Sequence, residues 1–204
     1  MPADAAFWDR RAEKYAWRKV LDEAAYAETL RRTRAHLGEG ARVLEIGCGT
    51  GTTALKLADA AGSYEATDVS AEMIRIARER QAEAGDVRVS FRQGDLDDPA
   101  LEDGAHDAVL AFNLLHLLPD PEGALARIRS LLAPGGVFVS KTPCLRDSAL
   151  WIRAILPPLR WMGVAPPLRM LTVAGTDAMI RAAGFEIVET GNLPAKLPSR
   201  FVVA

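Results

Sequence analysis

The chain has 204 residues, 49% hydrophobic and 25% charged, with 25 basic against 27 acidic side chains. This is the make-up of one compact domain, and the near-cancelling charge gives no support to a general nucleic-acid binder. Cys48 and Cys144 are too few for a disulfide scaffold or a four-cysteine zinc site, and no run of about 18 uncharged apolar residues suggests a membrane span.

Met1 to Arg11 mixes Asp4 and Asp9 with two arginines, which does not resemble a signal peptide, so a cytoplasmic protein is expected. Residues 5–37 read as helical, rich in Ala, Leu, Arg and Glu, and end at Gly38 and Gly40. A short strand, Arg42–Ile46, precedes a glycine cluster, and a helix over 53–60 stops at Gly62. The strand 63–67 leads to Asp68. Ser70 is placed to cap an amphipathic helix carrying Met73, Ile74, Ile76 and Ala77. Strands follow at 87–91 and 107–112, then a helix over 122–132, the turn Pro134-Gly135-Gly136 and a strand over 137–140. A helix over 176–183 closes at Gly184, followed by the strand 185–189 and a last extended piece at 200–203. Repeated strand–helix units imply an α/β fold with a mainly parallel sheet covered by helices on both faces.

Residues 141–174 break this rhythm. They hold Trp151, Ile152, Ile155, Leu156, Leu159, Trp161 and Met162 among five prolines, far longer than an ordinary strand-to-helix connection.

Glu45-Ile46-Gly47-Cys48-Gly49-Thr50-Gly51 follows a strand and opens a helix, where glycine lets backbone approach a ligand. Asp68 ends the next strand, placed to accept hydrogen bonds from vicinal ribose hydroxyls. A dinucleotide fingerprint puts its last small residue where this chain has Thr52, and a P-loop fails for lack of Gly-Lys-Ser/Thr.

The run Val43–Gly51 instead resembles the first motif of class I S-adenosylmethionine-dependent methyltransferases of the small-molecule type. The resemblance extends through Ala66-Thr67-Asp68-Val69-Ser70, Gly94-Asp95-Leu96, Asn113-Leu114-Leu115-His116 and Leu132-Ala133-Pro134-Gly135-Gly136, with Phe7-Trp8-Asp9 to Tyr15 as a lead-in. It implies a Rossmann-like fold with a seven-stranded sheet whose last strand is antiparallel. It also implies one domain over residues 1–204: an N-terminal helical cap (1–37), a cofactor-binding core (38–140), an apolar substrate cap (141–174) and a C-terminal helix with strands (175–204).

The resemblance assigns roles residue by residue. Gly47, Cys48, Gly49 and Gly51 would lie along the methionine part of S-adenosylmethionine, with Glu45 favouring its ammonium group directly or through water. Asp68 would hold the ribose, Val69 and Met73 would sandwich the adenine, and Asp95 with Leu96 would meet the adenine amino group. Asn113 and Leu114 would face the transferable methyl. His116 is the candidate base, Tyr15 a candidate cover over the cofactor, and S-adenosylhomocysteine the product. No metal is required.

The apolar insert favours a small apolar acceptor such as a lipid, a quinone or a hydrophobic metabolite, and its composition also suits a homodimer interface. Arg153, Arg160 and Arg169, with Arg10, Arg11, Lys14, Arg18 and Lys19 near the N-terminus, leave room for peripheral contact with a membrane. A non-catalytic cofactor-binding relative and a nicotinamide-dependent oxidoreductase are the alternative readings.

Overall fold

The computed structural model describes residues 5–85, 88–148, 166, 168–194 and 198–204. Seven strands form one sheet: β1 (Arg42–Ile46), β2 (Ser63–Asp68), β3 (Val89–Gln93), β4 (His106–Phe112), β5 (Leu132–Pro143), β6 (Glu189–Asn192) and β7 (Ser199–Val203). Their order is β3-β2-β1-β4-β5-β7-β6. The first five run parallel, and β7 pairs antiparallel with both β5 and β6. This is the expected class I methyltransferase arrangement. The chain reverses its direction of strand addition at β1/β4, which opens a crevice above the carboxyl ends of those strands.

Alternation along the strands fills both faces. Val43 and Leu110 join Leu57, Tyr64 and Phe91 in one buried cluster. Their neighbours Leu44 and Val109 point the other way, into a second cluster with Ile128, Phe138 and Ile180. Strands covered on both sides explain why β4 reads as an almost unbroken apolar run.

The N-terminal region corrects the expectation of continuous helix. It divides into α1 (Ala5–Asp9), α2 (Ala12–Ala16) and α3 (Glu23–Arg34). Asp22 starts α3 afresh by accepting the Ala25 N–H at 2.8 Å. The helices of the core are α4 (Thr52–Leu57), α5 (Ala71–Ala84), α6 (Pro121–Leu131) and α7 (Val173–Ala182). Ser70, Asp120 and Thr172 cap α5, α6 and α7, each side-chain oxygen accepting a backbone N–H three residues on.

Other boundaries also shift. The third strand begins at Val89, and β5 runs from Leu132 through the glycine turn to Pro143. The ladder of β6 begins at Glu189, where the expected strand ends. Phe185 and Ile187 instead pack on the second cluster, with Phe185 5.2 Å from Phe138 between ring centroids. Most of the apolar insert, including Trp151, Ile155, Leu159 and Trp161, lies outside the described residues.

Candidate active site

The crevice at the β1/β4 switch is a cavity of about 1020 Å³, bounded by the β1–α4 loop, the ends of β2, β4 and β5, and the N-terminal helices. Its floor is the glycine loop. Gly47 (φ 69°) and Gly49 (φ 54°) are left-handed and line the cavity. At Gly49 a Cβ would meet only the ring of Tyr15, at 3.6 Å, so this backbone is open to a ligand beneath that ring. Gly51 is different. It is not among the lining residues, and a Cβ there would lie 2.7 Å from the Phe91 ring and 2.9 Å from Ala77. Its smallness lets α4 pack on the sheet rather than making room for a cofactor.

Asp68 is oriented by the same loop. Its carboxylate accepts the Gly49 N–H at 2.9 Å through one oxygen and the Ser70 N–H at 2.9 Å through the other. The remaining lone pairs face the cavity, which it lines at 9% exposure. Burial pushes its pKa up, while the two N–H donors pull it down. Val69 and Met73 also line the cavity. Met73 belongs equally to a small core cluster with Ala12 and Ile76.

Asp95 and Leu96 form the wall beyond β3. Asp95 accepts the Asp97 N–H at 3.0 Å, an Asx turn that leaves its second oxygen available. At the end of β4, Asn113 holds the left-handed conformation (φ 54°), uncommon outside glycine, and its N–H donates to the Lys141 carbonyl at 2.7 Å. Leu114 lies against Gly47, and both line the cavity.

Glu45 departs from the expectation of a cofactor contact. It is 2% exposed, is not among the lining residues, and accepts the Tyr64 hydroxyl at 2.7 Å. Burial raises its pKa to about 7, partly countered by that hydrogen bond. Cys48 lines the cavity, but burial pushes its thiol well up, so it stays protonated. Cys144 is buried between the Thr142 carbonyl and Thr176, away from the cavity wall.

His116 sits at the cavity on the turn after β4, 7% exposed, and no hydrogen bond to its ring is made among the described residues. Burial alone lowers its pKa to about 4, so the imidazole is neutral at physiological pH. Burial raises the Tyr15 phenol, which is therefore a hydrogen-bond donor rather than a base. Arg80, Tyr26 and Lys141 also line the cavity, and the motif reading named none of them. Lys141 carried a signal: a lone charge closing the strand Val137–Ser140, whose first three residues are apolar.

Residues 43–136 match the family model of a methyltransferase domain. They are a class I methyltransferase domain. A ubiquinone biosynthesis O-methyltransferase of Xanthomonas axonopodis pv. citri (strain 306) is 38% identical to the chain over 103 residues, 50% of this chain and 43% of that one. The chain thus spans less than half the length of that curated relative. Among solved structures, the [4+2]-cyclase SpnF superposes with TM-score 0.71 at 27% identity, covering 88% of this chain and 65% of that one. A geranyl diphosphate methyltransferase in complex with S-adenosylmethionine superposes with TM-score 0.72 at 17% identity, covering 88% and 84%.

The lining of the methyltransferase domain's crevice suits that cofactor chemically. An anionic carboxylate with spare lone pairs suits a ribose diol, a glycine backbone without Cβ leaves room beside it, and Val69 with Met73 offers apolar faces for a purine. Gly51 and Glu45 support this arrangement from behind the wall.

Proposed function

We propose that the chain is an S-adenosylmethionine-dependent methyltransferase acting on a small, largely apolar acceptor of the phenol or quinol type. One observation carries the reading: Asp68, the Gly47–Gly49 backbone and an uncharged His116, whose Nδ1 has no partner among the described residues, line a single cavity. The resemblance to a ubiquinone biosynthesis O-methyltransferase, confined to half of the chain, supports an acceptor of that kind.

When bound, the cofactor supplies an electrophilic methyl group on a sulfonium sulfur. The chain's part is to position the acceptor and exclude water. Asp68 fixes the nucleoside end, and Asn113 and Leu114 form the wall where the methyl group would point. His116 accepts the acceptor's O–H at a ring nitrogen, taking the proton as the oxygen attacks. Its low basicity suits an acidic hydroxyl such as a phenol better than an alkyl alcohol. Tyr15 closes over the loop from α2.

Calorimetric titration with S-adenosylhomocysteine, followed by transfer of a labelled methyl group to a panel of phenols and quinols, tests the proposal. Micromolar binding that Asp68→Ala abolishes, with label in an ether product, is expected. Binding without transfer to any acceptor would instead support a non-catalytic relative, or a different reaction in the same cavity, as the [4+2]-cyclase neighbour illustrates.

A peripheral membrane contact has one supporting observation. Trp17 is 85% and Leu21 94% exposed, and Leu21 lines the cavity mouth with Arg18 and Lys19. An apolar tip flanked by cations suits an anionic lipid surface. Co-sedimentation with phosphatidylglycerol vesicles, lost in a Trp17→Ser/Leu21→Ser variant, is the expected result.

A further inference from the structure

The β5 end of the cavity carries a cation that has no anionic partner among the described residues. Lys141 lines the cavity, half-buried, and its Nζ donates to Thr29 Oγ1 at 3.1 Å. Thr29 donates its own proton to the Ala25 carbonyl at 2.7 Å, so its oxygen presents lone pairs to the ammonium. Thr29 is 3% exposed, so the hydroxyl that receives the ammonium is itself buried. The arrangement positions the ammonium and, among the described residues, leaves its other N–H bonds unspent. Among the described residues no carboxylate lies within ion-pair distance of Lys141. The nearest named acid, Asp22, acts on it only through its field, and its carboxylate is engaged in capping α3.

We propose that Lys141 is the acceptor-selecting residue of this cavity: it binds an anionic oxygen carried on the acceptor's apolar body. The inference rests on the methyltransferase reading for what an acceptor is, and deepens it by adding a charge to the acceptor. Position assigns Lys141 to the acceptor rather than to the cofactor. It stands on β5, next to β4, whereas Asp68 and Gly49 stand on the β1 and β2 side. A desolvated ammonium held by one hydroxyl gains most from a ligand that brings the missing negative charge. Burial already presses its pKa down, consistent with an environment lacking such a partner.

The test uses two dyes with one apolar skeleton, each titrated into the chain saturated with S-adenosylhomocysteine. The dye 1-anilinonaphthalene-8-sulfonate carries a fixed anion, and N-phenyl-1-naphthylamine does not. The anionic dye is expected to bind the unmodified chain about tenfold more tightly than the neutral one. Lys141→Met erases that preference without changing neutral-dye or S-adenosylhomocysteine affinity, whereas Lys141→Arg keeps it. Equal affinity for both dyes in the unmodified chain overturns the proposal, with no variant needed. A Lys141→Met variant that loses S-adenosylhomocysteine binding while still folded also overturns it, by assigning the lysine to the cofactor's carboxylate. Failure of S-adenosylhomocysteine to bind the unmodified chain refutes the methyltransferase reading instead.

Discussion

Asp9 and Ser70 are joined by a 2.6 Å hydrogen bond in which the serine hydroxyl donates to Asp9 Oδ1. The same serine oxygen accepts the Met73 N–H at 3.1 Å, and the same aspartate oxygen accepts the Glu72 N–H at 3.2 Å. The N-terminal helices are thereby anchored to the first turn of α5, immediately after the Asp68–Val69 segment. Asp9→Ala is expected to weaken S-adenosylhomocysteine binding by about fivefold to tenfold through loss of these two hydrogen bonds. Trypsin would also cleave faster at Arg10 and Arg11, and an unchanged cleavage pattern would contradict this anchoring.

Asp68→Asn keeps the size of the side chain but removes its charge and the acceptor capacity of one oxygen. Because charge-assisted hydrogen bonds contribute about 1.5–3 kcal/mol, S-adenosylhomocysteine affinity should fall by about ten- to a hundredfold. Calorimetry is the measurement.

Two left-handed glycines separate packing from backbone strain. A Cβ at Gly51 (φ 76°) would overlap Phe91 and Ala77, whereas at Gly135 (φ 79°) it meets nothing within 4 Å. Gly135→Ala should cost about 1 kcal/mol, the left-handed penalty alone, and Gly51→Ala about 3 kcal/mol once overpacking is added. Urea denaturation of both variants distinguishes the two contributions.

Glu45 makes stability depend on pH in an uncommon direction. Its carboxyl is raised from an ordinary 4.5 to about 7 in the folded chain, chiefly by burial. Between those values the folded state binds more protons than the unfolded one, so this group's contribution to stability falls as pH rises. Relative to Glu45→Gln, the unmodified chain should lose up to about 3 kcal/mol between pH 4.5 and 7. A difference that is flat with pH would mean that the carboxyl titrates normally.

His116, lowered to about 4, remains a neutral acceptor throughout the physiological range. His116→Gln should reduce kcat by about a hundredfold while leaving S-adenosylhomocysteine affinity within about twofold. The acid limb of the unmodified enzyme's kcat profile should fall near pH 4 rather than at the ordinary 6.5 of histidine.

The parallel sheet and the glycine loop were legible because their patterns are local: an apolar strand, a left-handed turn, a helix cap and an acid at the next strand end. Asp68, Gly49 and His116 stand where those patterns put them. The break in the N-terminal helices was not legible, since Trp17 to Leu21 contains neither glycine nor proline and its composition favours helix on either side. Phe185 to Glu189 alternates like a strand, yet its aromatic and aliphatic side chains serve the core before the ladder begins. Glu45 and Gly51 carry the family motif but act from behind the wall, a distinction that spacing along a chain cannot make. The role of Lys141 has no local signature, because its partner Thr29 lies 112 residues away.

The guanidinium of Arg80 grips the Ala16 carbonyl at 2.7 Å with one nitrogen and the hydroxyls of Thr50 and Thr52, at 2.6 and 2.7 Å, with the other. A single side chain therefore couples the covering helix to the glycine loop that floors the cavity. Movement of α2 away from the loop has to break these hydrogen bonds together, so cover and floor shift as one unit.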